Sequence, residues 1–182
     1  PAVFIGFNNT SYDREICRRT LWKNLYDNPY LTEFNGNSHF DLLGVARAVN
    51  LFFTKALKYK MNDKNNISFK LQDLCLANGI INKIQHSAYE DCLATMELSK
   101  LIQKNAPEVF KSALQTTSKS GANSYLQKLD VFCTTEYYSQ KPHAFCVKFL
   151  TYHPKYQWMQ TWDLKNSPSD YIKMPYQQLK EE

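Results

Sequence analysis

Apolar and polar positions along the chain change their period twice. Ala2–Asn8 (AVFIGFN) is a continuous apolar, β-branched and aromatic run that ends around Gly6 and the Asn8-Asn9 pair. Such a run predicts a strand buried on both faces, central in an α/β sheet. Thr10 or Ser11 then offers an N-cap to a helix over about 12–26, stopped before Pro29. In HFDLLGVARAVNLFF the pattern predicts a short strand around Phe40 and a helix to about Leu57. SFKLQDLCLANG follows a polar loop, with Ser68 as N-cap and Asn78-Gly79 as a left-handed stop. A further helix is predicted from about Ser87 to Lys104, with a shorter helical piece through Phe110 to Leu114.

Thr116–Ser124 (TTSKSGANS) is small and polar and reads as a linker. Beyond it the helical period is gone. DVFCTTEYY, HAFCVKFLTYH and YQWMQTWDL are rich in β-branched and aromatic residues and predict three short strands of a small antiparallel barrel or sandwich. The pattern divides the chain into an α/β part over 1–115, a linker over 116–124 and a small β-rich domain over 125–182. Tyr137, Tyr138, Tyr152, Tyr156 and Trp158 crowd into that last part; the plainer expectation is that most fill its core, the sharper one that they stack on nucleobases.

Composition narrows the class without choosing it. The 182 residues are 43% hydrophobic and 21% charged, ordinary for a folded domain. No apolar run approaches the roughly 18 residues of a membrane helix, and no basic-then-apolar leader stands at the start of these residues. Five cysteines form no C-x-x-C pair and sit among apolar neighbours, which predicts reduced, buried thiols in a cytoplasmic protein. A net charge of +5 leans towards a polyanionic partner.

Chemistry enters with carboxylates on apolar helical faces. Asp91 shares a stripe with Ala94, Leu98, Leu101 and Ile102, and a carboxylate there is costly unless paired or metal-bound. Asp13 lies in the first turn of the earlier helix, followed on one face by Ile16, Cys17, Thr20 and Leu21, directly after the buried strand. α/β proteins place their sites at that carboxyl end of the sheet. Each aspartate can be read as a helix-terminus carboxylate favoured by the dipole, or the two as oxygen ligands of a divalent cation. His86, just ahead of its helix, is a surface histidine or a base for a metal-bound water. Asp13-Arg14-Glu15 is no metal pair: on a helix positions i and i+2 diverge by about 200°. Glu15 is expected to be a solvated charge.

GFNNTSYDREICRR, HFDLLGVARAV, SFKLQDLCLANGI and HSAYEDCLATMELSKLI, in that order and spacing, resemble the exonuclease domain of the bacterial exodeoxyribonuclease I family, DEDD exonucleases of ribonuclease-H-like fold. The resemblance covers about 2–110 and extends more weakly through 130–179, where the family carries a Src-homology-3-like barrel. It implies 3′→5′ hydrolysis of single-stranded DNA to mononucleotides with two Mg²⁺ ions, Mn²⁺ as a possible substitute. Asp91 matches the last acidic motif, a direct metal ligand, and Asp13 the second, which supports the second metal. His86 matches the general base, and its H-x(4)-D spacing assigns the histidine subclass, since Ser87 stands where the other subclass has tyrosine. Lys70 falls where the family has a basic residue near the DNA path, and Asn9 is placed with it as nucleic-acid-binding. Arg47 matches an arginine near the surface that docks the acidic C-terminal tail of single-stranded DNA-binding protein.

The family's strand-borne Asp-x-Glu has no match in these residues. The chain therefore reads as a portion of a longer enzyme, inactive alone, with a bare sheet edge. Two rival readings stay open: a non-catalytic nucleic-acid-binding or adaptor protein that keeps the fold, and an exoribonuclease or proofreading exonuclease of the same subclass.

Overall fold

The structure, a computed structural model, describes residues 1–80, 87–175 and 177–180. Strand β1 (Val3–Gly6) and strand β2 (Ser38–Asp41) pair in parallel, with Gly6 opposite Asp41, so both strands end at the same edge. Helix α1 (Asp13–Lys23) follows β1, and helix α2 (Leu42–Phe52) leaves β2 without an intervening loop. Helices α3 (Leu71–Ala77), α4 (Ala88–Asn105) and α5 (Pro107–Gln115) pack with α2 around one core. That core follows helical spacing: Leu42, Val45, Ala46 and Val49 from α2, Leu74 from α3, Leu98 and Ile102 from α4, and Phe110 from α5. Phe40 of β2 meets Phe110 edge-on at 5.1 Å, tying strand to helix. Among the described residues no helix is long and apolar enough to cross a membrane.

Helix α6 (Lys119–Leu126) occupies the stretch expected to be a linker. Ser118 caps it by accepting from the Gly121 amide at 3.1 Å, and Tyr125 reaches back to Ser112 of α5 at 3.2 Å. A good cap and a neighbouring helix outweigh a composition that favours coil. Strands β3 (Val131–Tyr138), β4 (Lys141–Tyr152) and β5 (Met159–Asp163) form an antiparallel meander at the expected positions. Ser139 and Gln140 make the two-residue β3–β4 turn with both φ values positive. Among the described residues this sheet is open; no closed barrel forms.

Several expectations from the pattern are corrected. β1 is not buried on both faces: Val3, Phe4 and Ile5 are 41–48% exposed, because β2 is its one strand partner among the described residues and α1 buries no residue. For the same reason Ile16 and Cys17 behind Asp13 are exposed. The α1 N-cap is Tyr12, not Thr10 or Ser11, and the α3 N-cap is Lys70, not Ser68. Ser68 instead donates from its hydroxyl to Asp73 at 2.6 Å. α1 and α2 stop earlier than periodicity suggests, at Lys23 and Phe52, although Leu57 beyond α2 is still buried. Of the five cysteines only Cys75 is buried; Cys17, Cys92, Cys133 and Cys146 are exposed, and all are free. Tyr137, Tyr138, Tyr156 and Trp158 stand at the surface, since an open sheet has no interior to take them.

Candidate active site

The carboxyl ends of β1 and β2 are bound together by Asp41. Its carboxylate accepts from the amides of Asn8 at 2.8 Å, Thr10 at 3.3 Å and Leu43 at 3.1 Å. The last bond is the N-cap of α2; the first two fix the loop that leads into α1. An aspartate directly before an apolar helical run is a legible cap signal, but its grip on the other loop is purely tertiary. In that loop Asn9 is only 5% exposed. Its side-chain amide donates to the Phe4 carbonyl at 3.4 Å, while its Oδ1 is buried without a partner among the described residues. Any side chain at position 6 would meet Asn9, since a Cβ there would lie 2.6 Å from the Asn9 Cβ. Gly6 is therefore what lets Asn9 tuck under the loop.

This scaffold delivers Asp13 as the first residue of α1, exposed, at the positive end of the helix. His39 of β2 lies within reach of its charge. His39 shares a 3.0 Å hydrogen bond with Thr32, stacks on Phe4 at 5.6 Å, and keeps a buried Nδ1 without a partner among the described residues. Burial above all, with Arg14 adding, holds its pKa below the usual histidine value; Glu33 and Asp13 pull the other way. Nothing in the sequence pattern singled out His39, because a lone histidine in a short strand carries no motif. Glu15 turns away from Asp13 and binds Arg19 at 2.7 Å and Arg18. Those two arginines hold its carboxyl below the ordinary range, so Glu15 is paired rather than merely solvated.

Asp91 lies in the first turn of α4, on the stripe that continues through buried Ala94, Leu98 and Ile102. Its Oδ1 is buried and has no hydrogen-bond partner among the described residues. A carboxylate oxygen so placed is costly to the fold unless something positive meets it. Its charge also reaches Cys75 on α3: burial first, and then Asp91, push that thiol up to about 11. Asp13 is thus anchored to the β1–β2 edge and Asp91 to the α3–α4 contact. Among the described residues no group of three or more His, Cys, Asp or Glu side chains gathers to hold a metal. His86 lies outside the described residues.

Of the remaining expected residues, Lys70 is exposed at the N-cap of α3. Arg47 on α2 lays its guanidinium over the Tyr137 ring at 3.8 Å and near Phe69 at 5.9 Å. Its Nε is buried without a partner among the described residues, and burial lowers its pKa. A cleft of about 1090 Å³ lies between α2, α5, α6 and β3, lined in part by Gly44, Ala48, Phe52 and Tyr125. Asp13 and Asp91 do not line it, but Thr10, Arg14, His39 and Asp41 do, so the cleft runs from the seam with the sheet to the β1–β2 edge beside Asp13.

The architecture is an α/β fold that matches solved exonuclease I structures. Escherichia coli exonuclease I, solved in complex with a dA16 oligonucleotide, superposes on 98% of this chain with a TM-score of 0.77 and 26% identity, and 39% of that chain is covered. An ExoI/SSB-Ct complex gives a TM-score of 0.74 at 25% identity, over 97% of this chain and 39% of the other. In sequence the chain is similar to exodeoxyribonuclease I: the Buchnera aphidicola subsp. Baizongia pistaciae protein is 34% identical over 109 residues, which is 60% of this chain and 23% of the relative. The chain thus spans about a quarter of the curated relative's length, and the resemblance carried by its four motifs is borne out. No protein-family profile matches it.

Proposed function

We propose that the chain is part of a 3′→5′ exodeoxyribonuclease that hydrolyses single-stranded DNA to mononucleotides. The observation that carries this is the Oδ1 of Asp91, buried and without a partner among the described residues, in a chain whose fold follows exonuclease I over 98% of its length. A hard divalent cation satisfies such an oxygen, and Asp91 with Asp13 would hold it. Bound there, Mg²⁺ or Mn²⁺ would offset charge at the scissile phosphate and acidify water. Asp13 adds its carboxylate from the N-terminus of α1, whose position Asp41 sets through Asn8 and Thr10. His86 takes the proton of the attacking water, a role supported by the family spacing to Asp91. Lys70 lines the nucleic-acid side, Asn9 shapes it from beneath the β1–α1 loop, and Arg47 receives the acidic tail of single-stranded DNA-binding protein. β3–β5 belong to a Src-homology-3-like module, and the enzyme works in the cytoplasm.

These 182 residues by themselves turn over little or no DNA, because their Asp-x-Glu, Asp13 and Glu15, lies on helix α1 rather than on a strand. The test uses the longer protein that contains them, with single-stranded DNA, duplex and RNA as substrates. Mg²⁺-dependent release of mononucleotides from the single-stranded DNA 3′ end is expected, with His86→Ala and Asp91→Ala each lowering the rate by at least about 100-fold. Unchanged rates in either variant would overturn the assignment. Faster hydrolysis of RNA would favour the exoribonuclease reading.

A further inference from the structure

The loop between β4 and β5, residues 153–158 (HPKYQW), carries large rings that face solvent. Tyr156 is 47% and Trp158 64% exposed. They are nonetheless ordered against each other, with centroids 4.8 Å apart and planes 23° from parallel. His153 stands 4.9 Å from Tyr156 on the same loop. The backbone beneath is closed: the His153 amide donates to the Trp158 carbonyl and the Gln157 amide to the His153 carbonyl, both at 2.8 Å. His153 Nδ1 accepts from the amides of Lys155 and Tyr156, each at 3.2 Å, which fixes the ring's proton on Nε2. Gln157 adopts a positive φ of 54° to close the turn. The rings are therefore held in position rather than left on a loose tip.

Two cations frame the stack. Lys155 Nζ lies 5.2 Å from the Tyr156 ring centroid, and Lys119 of α6 donates to the Tyr156 carbonyl at 3.5 Å. Neither lysine has an acidic partner among the described residues, and the loop contains no carboxylate. A rigid, exposed aromatic pair flanked by unpaired ammonium groups matches an unstacked base with its neighbouring phosphates. Duplex DNA hides its base faces and does not fit.

We propose that the β4–β5 loop is a stacking platform for single-stranded nucleic acid: the outer face of Trp158 takes a base, Tyr156 backs it, and Lys155 and Lys119 meet the flanking phosphates. This rests on the single-strand reading above and adds to it a binding site away from the carboxylates. The test is the affinity of the 182-residue chain for a fluorescently labelled oligo-dT, by anisotropy at low salt. Trp158→Ala is expected to weaken binding at least about fivefold, the low end of one base–aromatic stack, while Trp158→Phe retains most of it. Trp22→Ala, at a tryptophan 71% exposed on α1, is the control and leaves affinity unchanged. Quenching of tryptophan emission by oligo-dT disappears with Trp158→Ala. Oligo-dT binding that ignores Trp158 overturns the platform and leaves the single-strand reading standing. Equal binding of duplex and single strand, without quenching, assigns binding to charge and also overturns the platform. No binding of any oligonucleotide overturns both.

Discussion

Tyr59 shows how single side chains hold this fold. Its hydroxyl donates to the Ala46 carbonyl at 2.9 Å, its ring meets Phe69 edge-on at 5.6 Å, and burial drives its pKa well above the ordinary tyrosine value. The protonated form is the one the fold accepts, so its contribution is complete below the unfolded value of about 10 and is lost as pH rises beyond it. Urea unfolding measured from neutral pH upward is expected to show falling stability above about pH 10. Tyr59→Phe flattens that fall while losing about 1 kcal/mol at neutral pH. Asp91 was legible in the sequence at this same scale. Period 3.6 alone put a carboxylate on the stripe of Ala94, Leu98 and Ile102, and that stripe is buried. Asp13 was legible as a first-turn carboxylate, but not its exposure, because burial depends on what covers a face and α1 buries no residue.

At the scale of elements, the helices around the core were readable where apolar spacing and stop signals agree: α2, α3, α4 and α5 lie close to their expected places. Their caps were less readable, since a cap is a contest among neighbours. Thr10 offered a capping hydroxyl, but it sits in the loop that Asp41 holds through the Thr10 amide, and the helix begins only after Tyr12. Asp41 joins two elements at once, capping α2 and holding the β1–α1 loop. Asp41→Ala is expected to cost about 2 kcal/mol, more than an ordinary cap, with Asp41→Asn recovering part of it. Urea midpoints at constant m-value check this. α6 was missed because its residues favour coil individually; Ser118 and the contact with α5 supply what propensity lacks.

At the scale of the whole molecule, the apolar side chains of β1 set the behaviour of the 182-residue chain in solution. Exposed Val3, Phe4 and Ile5 lie on a strand paired along one side among the described residues, a template for pairing with another copy. Sedimentation velocity is expected to show concentration-dependent association of these 182 residues, reduced by Ile5→Lys; a monomer at all concentrations would refute it. The likeness to exonuclease I was legible because four motifs keep their order and spacing over the first 110 or so residues. By itself the sequence determined the helices around the core, the three antiparallel strands and the carboxylates at two helix starts. Periodicity and local stop signals are properties of neighbouring residues. Only the tertiary structure decided that β1 is exposed and that Asp41 ties the β1–α1 loop to the start of α2. It also decided that the meander stays open and that Trp158 and Tyr156 stand in solvent. Each of these depends on which surfaces the rest of the chain covers, and that is not written in any local stretch of residues.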